Sequence, residues 1–252
     1  MIEAVRGIIL RRKKQNESDS LATVLTDSGA LKYVRFHGIQ QSKNRSTLLT
    51  EPGTHVDLRV HFRDDTNGSV KEGTILERYE PWKKGYAMLA LLSSLLEFAE
   101  GAAKSFDSND LFVLLTAWLG IVRPEDRALS AAQSTGIFSA FRFQAMQIAG
   151  FIGAHSCAHC GAVVGERAHW EIPEVSFVCE KCNPDANVEH GHYLRTIEQM
   201  LHLPIDSLLN SFQDQIHLKN LEHYASICVR HSLPFHSPAA DAFTSTEKVG
   251  SF

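Results

Sequence analysis

The sequence contains no hydrophobic run long enough to cross a lipid bilayer. Its longest mostly apolar stretch, residues 86–98, is shorter than the roughly 20 residues that a transmembrane helix needs, and it is predicted to form a buried helix. Near the N-terminus the basic cluster RRKK follows a short apolar run, whereas a signal peptide has its positive charges first. We therefore expect a cytoplasmic protein, in which disulfide bonds are rare.

Motifs of the common catalytic sites are also missing. The chain has no GxxxxGKS/T phosphate-binding loop, no HExxH metal motif and no GxSxG nucleophile turn. The acidic pair Asp64–Asp65 beside the TNG turn is compatible with a nuclease metal site, but a solvated hairpin tip is the simpler interpretation. The sequence therefore gives no recognisable set of catalytic residues.

Cysteine is scarce, and its arrangement is the most specific signal in the sequence. Four of the five cysteines form two CxxC pairs, Cys157 with Cys160 and Cys179 with Cys182, in the pattern C-x2-C-x18-C-x2-C. Two such turns can direct four thiolates to one point, as in a structural zinc site. Four thiolates leave no open coordination position, so a catalytic zinc ion is not favoured. We predict that the segment 155–184 binds a structural Zn²⁺ ion.

Other interpretations of the cysteines fit less well. A redox dithiol needs a single CxxC pair within a thioredoxin-like unit, and the sequence gives no sign of one. The HWE sequence at 169–171 matches half of the zinc-deaminase pattern, but Val178 stands where a proline should precede Cys179. A nearby histidine could replace one cysteine as a ligand, although solvated loop positions are the simpler interpretation. The histidines concerned are His155, His159 and His169.

Residues 1–80 have the pattern of a small β-barrel. Short β-branched or alternating segments are separated by the turn signals DSG, EPG and TNG. The predicted strands are 2–12, 20–26, 31–37, 55–62 and 73–78. Five short strands favour an OB-like barrel, and an SH3-like barrel would give a similar pattern.

After residue 80 the apolar residues recur with a helical period. The predicted helices are 85–103, 109–119, 136–149, 192–201 and 214–231. Residues 81–236 are therefore predicted to form an α-helical domain that carries the zinc segment. Residues 237–252 contain few large apolar groups and are predicted to be a disordered tail. The expected fold class is α+β, multidomain.

Basic residues are concentrated in the first part of the chain. Residues 1–50 contain nine Lys or Arg and four Asp or Glu, a balance of +5, whereas residues 81–252 have a balance of −6. A basic groove on a small barrel suits nucleic-acid phosphates, although a run such as RRKK can also be a solvated turn. The predicted DNA-binding residues are Arg11, Arg12, Lys13, Lys14, Lys32, Arg35, Lys43 and Arg45.

Three segments of the chain resemble the RecO family of bacterial recombination mediators. The opening GIILRRKKQNESDSLATVLTDSGAL is similar to the first hairpin of that family, and VRFHGIQQSKNRS is similar to its next strand and loop. FRFQAMQIAGFIGAHSCAHCG resembles the helix that leads into its zinc segment. One departure is His37, where the family often has Lys or Arg before the glycine, so this loop carries less charge.

The resemblance implies a DNA repair factor that catalyses no reaction. It implies an OB-fold domain, a helical domain and a zinc site, with binding of single- and double-stranded DNA and annealing of complementary strands. With RecR, such a protein helps to load RecA onto strands coated by single-stranded-DNA-binding protein (SSB), in the cytoplasm at the nucleoid. The acidic tail of SSB would dock on the helical domain, where the candidate residues are Arg127, Phe138, Phe141 and Arg142.

The residues by themselves leave three hypotheses open. The first is the recombination mediator. The second is a zinc-dependent or carboxylate-dependent nuclease or hydrolase, and the third is a zinc-stabilised scaffold or transcription regulator that mainly binds protein. Arg142 in particular is also compatible with a side chain that extends over a core helix.

Overall fold

The computed structural model describes two compact units of the chain. The described residues are 2–42, 46–122, 129–151, 156–171 and 176–233. The first unit contains residues 2–122 and the second contains residues 129–233. Predictions were made above for several residues outside the described ranges, namely Lys43, Arg45, Arg127, His155 and the tail 237–252.

Five strands of the first unit close into a barrel. In chain order they are β1 (Ile2–Lys14), β2 (Ser20–Thr26), β3 (Leu31–Phe36), β4 (His55–Phe62) and β5 (Asn67–Glu77). They pair in the order β1-β2-β3-β5-β4, and β4 also pairs with β1. β3 and β5 run parallel, and the other pairs are antiparallel. This confirms the predicted OB-like barrel.

Alternation along the strands separates the barrel interior from its outer face. In β3, Val34 and Phe36 are fully buried, whereas Arg35 between them is exposed. Residues directly opposite each other on paired strands lie on the same side of the sheet, so the register determines which side chains face outwards. The interior is filled by Val5, Ile9, Ala22, Val24, Val34, Phe36, Val56, Leu58, Val60 and Val70.

The hairpin between β4 and β5 differs from its prediction. The sequence predicts a turn at TNG and a strand at 73–78, whereas β5 already begins at Asn67. The turn is made by Asp64, whose carboxylate accepts the backbone N–H groups of Thr66 and Asn67. Hydrogen bonds from the Asn67 side chain and from these N–H groups lower the pKa of Asp64 to about 2. The Asp64–Asp65 pair is therefore a solvated hairpin tip.

Two helices complete the first unit, α1 (Tyr86–Ser105) and α2 (Asn109–Gly120). The indole N–H of Trp82, which is fully buried, donates a 2.7 Å hydrogen bond to the Leu119 carbonyl in α2. The prediction assigned these helices to a domain at 81–236, whereas they lie in the compact unit of the barrel. The barrel strands end near residue 80. That residues 1–80 fold independently of the two helices stays a prediction.

Contrary to the expectation from the shorter stretch 86–98, the whole of α1 is long and apolar enough to cross a membrane by length and composition alone. However, 67% of its most apolar 18-residue window is buried inside the protein. Leu91, Leu95 and Phe98 on its apolar face are fully buried. We therefore interpret α1 as the buried helix that the sequence pattern predicts.

The described residues of the second unit form four helices and a β-hairpin. In chain order they are α3 (Ala131–Ile148), β6 (Ala168–Glu171), β7 (Ser176–Cys179), α4 (Val188–His202), α5 (Ile205–Ser211) and α6 (Gln215–Ser232). α3 begins five residues before its predicted start, because Ser130 and Gln133 form a reciprocal capping box. α4 begins four residues early, where the Asn187 side chain accepts the His190 N–H. The hairpin and the short α5 are absent from the predicted elements.

A buried ion pair fixes α3 against α6. The Arg142 guanidinium donates to the Glu222 carboxylate at 2.8 Å and to the Ser226 hydroxyl at 3.0 Å, and Arg142 is 2% exposed. Phe138 and Phe141 are fully buried in the same core. The prediction of a docking pocket at Phe138, Phe141 and Arg142 is therefore corrected. In this structure these side chains hold two helices together and are inaccessible to a peptide.

Replacing Glu222 with Ala should lower the free energy of unfolding of the second unit by about 3–5 kcal/mol, because Arg142 would keep its charge in the core without a partner. Urea unfolding monitored by circular dichroism measures this. Glu180→Ala is the matched control, since its 3.7 Å contact with Arg167 joins side chains that are 63% and 54% exposed. Such an exposed pair contributes less than about 1 kcal/mol. Equal destabilisation by both variants would contradict the role of the buried pair.

Candidate metal centre and nucleic-acid interface

The first CxxC pair lies on a tight turn. The Cys157 N–H donates to the Ala162 carbonyl at 2.7 Å, and the Gly161 N–H donates to the Cys157 carbonyl at 2.8 Å. Gly161 has a φ of 72°, a left-handed conformation that glycine adopts without a steric penalty. The chain therefore reverses directly after Cys160, which keeps the two sulfur atoms of the pair close together.

The second CxxC pair begins at the last residue of β7. The Cys179 carbonyl accepts the N–H groups of Cys182 and Asn183, each at 3.0 Å. The Cys179 N–H in turn lies 3.4 Å from the Cys157 sulfur. This contact brings the second turn against the first.

The four sulfur atoms of the two pairs lie within 4.8 Å of one another. The sulfurs of Cys160 and Cys179 are 3.8 Å apart, well beyond the roughly 2.05 Å of a disulfide bond. Four thiolates placed tetrahedrally around zinc at about 2.3 Å would be about 3.8 Å apart. The predicted cysteines are thus free thiols in a cluster that fits a metal ion.

The thiols of this cluster differ in acidity. Burial of Cys157 favours its neutral form, but hydrogen bonds from backbone N–H groups, that of Cys179 foremost, lower its pKa to about 6. A hydrogen bond to Cys160, together with burial, raises the pKa of Cys182 to about 12. Four negative charges at these distances repel one another, so complete ionisation of the cluster requires a bound cation.

Histidines near the cluster are engaged elsewhere. His159 is half-exposed, and its Nε2 lies 3.2 Å from the Glu171 carboxylate. The ring of His169 packs edge-on against His190, whose Nδ1 accepts the Trp170 N–H. Within the described ranges, the group that could hold a metal ion consists of the four cysteines and includes no histidine.

Trp170 attaches the metal segment to the helices of its unit. Its ring, which is 3% exposed, lies 5.1 Å from Phe177 of β7 and 4.8 Å from Tyr224 of α6. Tyr193 of α4 is 6.4 Å away. The HWE sequence therefore has a packing role. The signal in the sequence was the alternation of apolar and polar residues over 168–171, which is typical of a half-buried strand.

An open groove of about 380 Å³ lies on the outer face of the barrel. The register explains its composition. Leu21 of β2 is opposite Arg35 of β3, and Arg35 is beside Ser69 of β5, which faces His61 of β4. The groove contains no acidic side chain among its lining residues, which are Leu21, Tyr33, Arg35, His37, His61, Arg63, Asn67, Gly68 and Ser69.

The arginines of the groove are weakly neutralised. Arg35 is exposed and has no acidic partner in the part of the chain that the structure describes. The Arg63 side chain is 86% exposed, with its Nε 3.8 Å from Asp64. Arg63 and His61 are absent from the predicted DNA-binding set, because residues 51–80 contain seven Asp or Glu and only four Lys or Arg. The alternation along β4 was the signal that could have identified them.

The predicted basic run RRKK is divided between the two sides of β1. Lys13 is opposite Leu21 and therefore shares the outer face with the groove. Arg12 and Lys14 pair with buried residues of β2 and point to the other side of the sheet. The run is thus strand and not a turn, and Arg11 and Lys13, opposite Thr23 and Leu21, are its members on the side of the groove.

Two other predicted residues are engaged within the protein. The Arg11 guanidinium donates at 2.8 Å to the Glu100 carboxylate of α1, which is 8% exposed. Lys32 lies on the interior side of β3, where its Nζ bonds the Asp65 carbonyl and is 5.3 Å from the centre of the Phe62 ring. Of the predicted set, Arg35 lines the groove, and Lys13 lies on the same face of the barrel outside the lining.

Asp19 connects the β1–β2 loop to the end of β3 beside the groove. Its carboxylate accepts the Gly38 N–H at 2.8 Å and lies 3.1 Å from Nδ1 of His37. The hydrogen bond from Gly38 is the main cause of a lowered pKa at Asp19. Asp19 therefore fixes the position of His37 at the rim.

Comparisons with known proteins agree with this architecture. Residues 1–79 match the family model described as Recombination protein O N terminal. The chain is 25% identical to the DNA repair protein RecO of Thermobifida fusca over 73% of its length and 74% of the relative. It is 27% identical to that of Frankia casuarinae, over 71% and 72%, and 24% identical to that of Leptospira biflexa, over 82% of each chain. With an OB-like barrel at the matched residues and a cysteine cluster beyond it, the chain is similar to the RecO DNA repair proteins.

Proposed function

We propose that this protein binds single- and double-stranded DNA through the barrel groove, anneals complementary strands and, with RecR, helps to load RecA onto SSB-coated DNA. The observation that carries the proposal is the groove itself, in which Arg35 and Arg63 lie exposed and no acid is present among the lining residues. In OB-folds the face of the second and third strands is the usual oligonucleotide site. Here that face carries Arg35 and Tyr33.

Annealing follows from charge neutralisation. Two strands repel each other through their phosphates, and cations on a protein surface replace condensed counterions and lower this repulsion. No covalent bond is made or broken, so a mediator of this kind needs no catalytic residue. It would act in the cytoplasm, at the nucleoid, where its DNA substrates are.

The hydrolase and scaffold hypotheses receive less support from the geometry. A nuclease site at Asp64–Asp65 is disfavoured, because the Asp64 carboxylate is occupied by the turn hydrogen bonds of Thr66 and Asn67. A scaffold that binds only protein does not require exposed arginines in a groove whose lining contains no acidic side chain. Interaction with RecR and with the SSB tail is carried over from the family that the chain resembles.

We further propose that Zn²⁺ occupies the cysteine cluster and acts as a structural ion. Cys157, Cys160, Cys179 and Cys182 would hold it, and thiolates are the ligands that structural zinc sites prefer. The bound ion would supply the positive charge that the crowded thiolates need. It would also hold the two CxxC turns together beside the hairpin that carries Trp170.

The first test of the function is strand annealing by the purified protein. Annealing of complementary oligonucleotides should be accelerated without Mg²⁺, should leave both strands chemically intact, and should persist on strands coated with SSB. Fluorescence quenching between labelled strands measures the rate, and denaturing electrophoresis detects any cleavage. Cleaved strands would support the hydrolase hypothesis, and absence of any DNA binding would support the scaffold.

The orientation of β1 gives a sharper prediction for DNA binding. Replacing Lys13 and Arg35 with Gln should reduce the slope of log affinity against log salt by about 1.4 on single strands, since each phosphate contact contributes about 0.7. Fluorescence anisotropy at several salt concentrations measures the slope. Arg12→Gln with Lys14→Gln is the matched control, because it removes the same charge from the other side of the same strand. A larger effect of the control pair would place the binding surface away from the groove.

Replacing Cys157 or Cys179 with Ser should abolish stoichiometric zinc binding and destabilise the second unit, because a structural zinc site contributes on the order of 10 kcal/mol of apparent binding free energy. Elemental analysis of purified protein and thermal unfolding measure the two effects. Cys228→Ser is the control: this fifth cysteine is fully buried in α6, outside the cluster, so its loss should leave the zinc content unchanged. DNA binding by the barrel should change less than stability does. Wild-type protein without zinc would refute the assignment.

A further inference from the structure

We infer that Tyr33 makes the groove selective for unpaired bases, by stacking on one base of a single strand while Arg35 and Arg63 hold the adjacent phosphates. This inference rests on the proposed DNA binding at the same groove. Base stacking by Tyr33 would let the groove distinguish a single strand from a duplex. A purely electrostatic surface cannot make this distinction.

The side chain of Tyr33 is half-buried, faces outwards from β3 and lines the groove. Within the described ranges it has no hydrogen-bond, ion-pair or aromatic ring partner. Buried or half-buried tyrosines usually find such partners, because the ring is large and its hydroxyl is polar. An aromatic ring in an open groove without one presents a surface for a ligand to cover.

The cross-strand neighbours of Tyr33 on β2 and β5 are not aromatic. In the register it lies opposite Thr23 of β2 and beside Asn67 of β5, and both side chains are small compared with an aromatic ring. Arg35 is two residues along the same strand on the same face, which corresponds to about 7 Å. The Arg63 N–H donates to the Asn67 carbonyl at 2.9 Å, so the second arginine is beside the same neighbour. A ring with Arg35 on its own strand and Arg63 directly after β4 suits a nucleotide, which has one flat base and charged phosphates.

The physical difference between strands and duplexes then determines selectivity. In a duplex each base is paired and its faces are covered by neighbouring bases, so a protein aromatic ring cannot stack on it without unpairing. The phosphates of both forms remain available to Arg35 and Arg63. Stacking therefore adds affinity for single strands only. When a complementary strand pairs with the bound strand, the stacked base leaves Tyr33. The affinity of the groove for the duplex product is then lower than its affinity for the single strand.

Tyr33→Leu should weaken binding of single-stranded oligothymidine by about 5- to 100-fold, since one base–aromatic stack contributes that much. Binding of a duplex of the same length should change less than about twofold. Tyr33→Phe should keep the wild-type preference, because the ring remains. Tyr86→Leu is the matched control, since Tyr86 is a 78% exposed tyrosine of the same unit that does not line the groove.

A second measurement uses the unaltered protein. An oligonucleotide of equal length in which every base is replaced by an abasic site keeps the phosphates and loses the stacking surfaces. Wild-type affinity for it should fall to that of Tyr33→Leu for oligothymidine, and Tyr33→Leu should bind both oligonucleotides alike. Thermal unfolding of each variant establishes that the barrel stays folded.

The outcomes separate the two proposals. Equal weakening of single-strand and duplex binding by Tyr33→Leu, or none, would overturn the stacking inference while leaving DNA binding at the groove intact. Failure of the wild-type protein to bind either nucleic acid in a salt-dependent way would instead overturn the proposed function. Insensitivity of the wild-type protein to base removal would also overturn the role of Tyr33.

Discussion

Closure of the barrel requires every strand to place alternate side chains in a dry interior, and this constraint decides which charges are available to a ligand. In β3 it buries Val34 and Phe36 and leaves Arg35 outside. In β1 it separates Lys13 from Arg12 and Lys14, although the three are consecutive in the chain. Because the register couples neighbouring strands, Arg35 is joined on the outer face by His61 from a distant part of the sequence. The groove is thus a property of strand pairing more than of local composition.

The charged residues of the protein fall into two classes with different physical roles. Glu100 and Glu222 are nearly buried, and each is compensated by arginine, Arg11 and Arg142 respectively. The Arg142–Glu222 pair fixes α3 against α6, since removing either partner would leave an uncompensated buried charge. Glu100 is also paired with Lys104 at 2.8 Å, so its charge is compensated from two sides. Among the described residues, the arginines of the groove have no buried acidic partner of this kind. An arginine side chain is therefore structural on α3, as Arg142, and available for a ligand on β3, as Arg35. The difference lies in the surroundings of the two guanidinium groups.

The sequence was informative where local rules determine structure. Strands β2 and β4 occupy their predicted residues, because β-branched alternation and turn signals define them. The cysteine spacing predicted a cluster that the structure shows, since two CxxC turns need little else to converge. Roles that depend on contacts between residues far apart in the sequence could not be predicted from it. Arg142 was interpreted as a partner-binding residue because its ion-pair partner, Glu222, is 80 positions away in the sequence. Arg63 was missed because neighbouring acids concealed it in the charge count.

The cysteine cluster also affects the charge of the chain. Four thiolates with one divalent ion carry a formal charge of about −2, whereas four neutral thiols carry none. Loading of the centre would therefore make an acidic region more acidic and lower the isoelectric point of the protein. A zinc-binding segment is often regarded as a nucleic-acid contact, but in this chain the metal would increase repulsion of phosphates by the part that binds it. Electrostatic repulsion by the zinc-binding part would itself favour binding of a polyanion at the barrel.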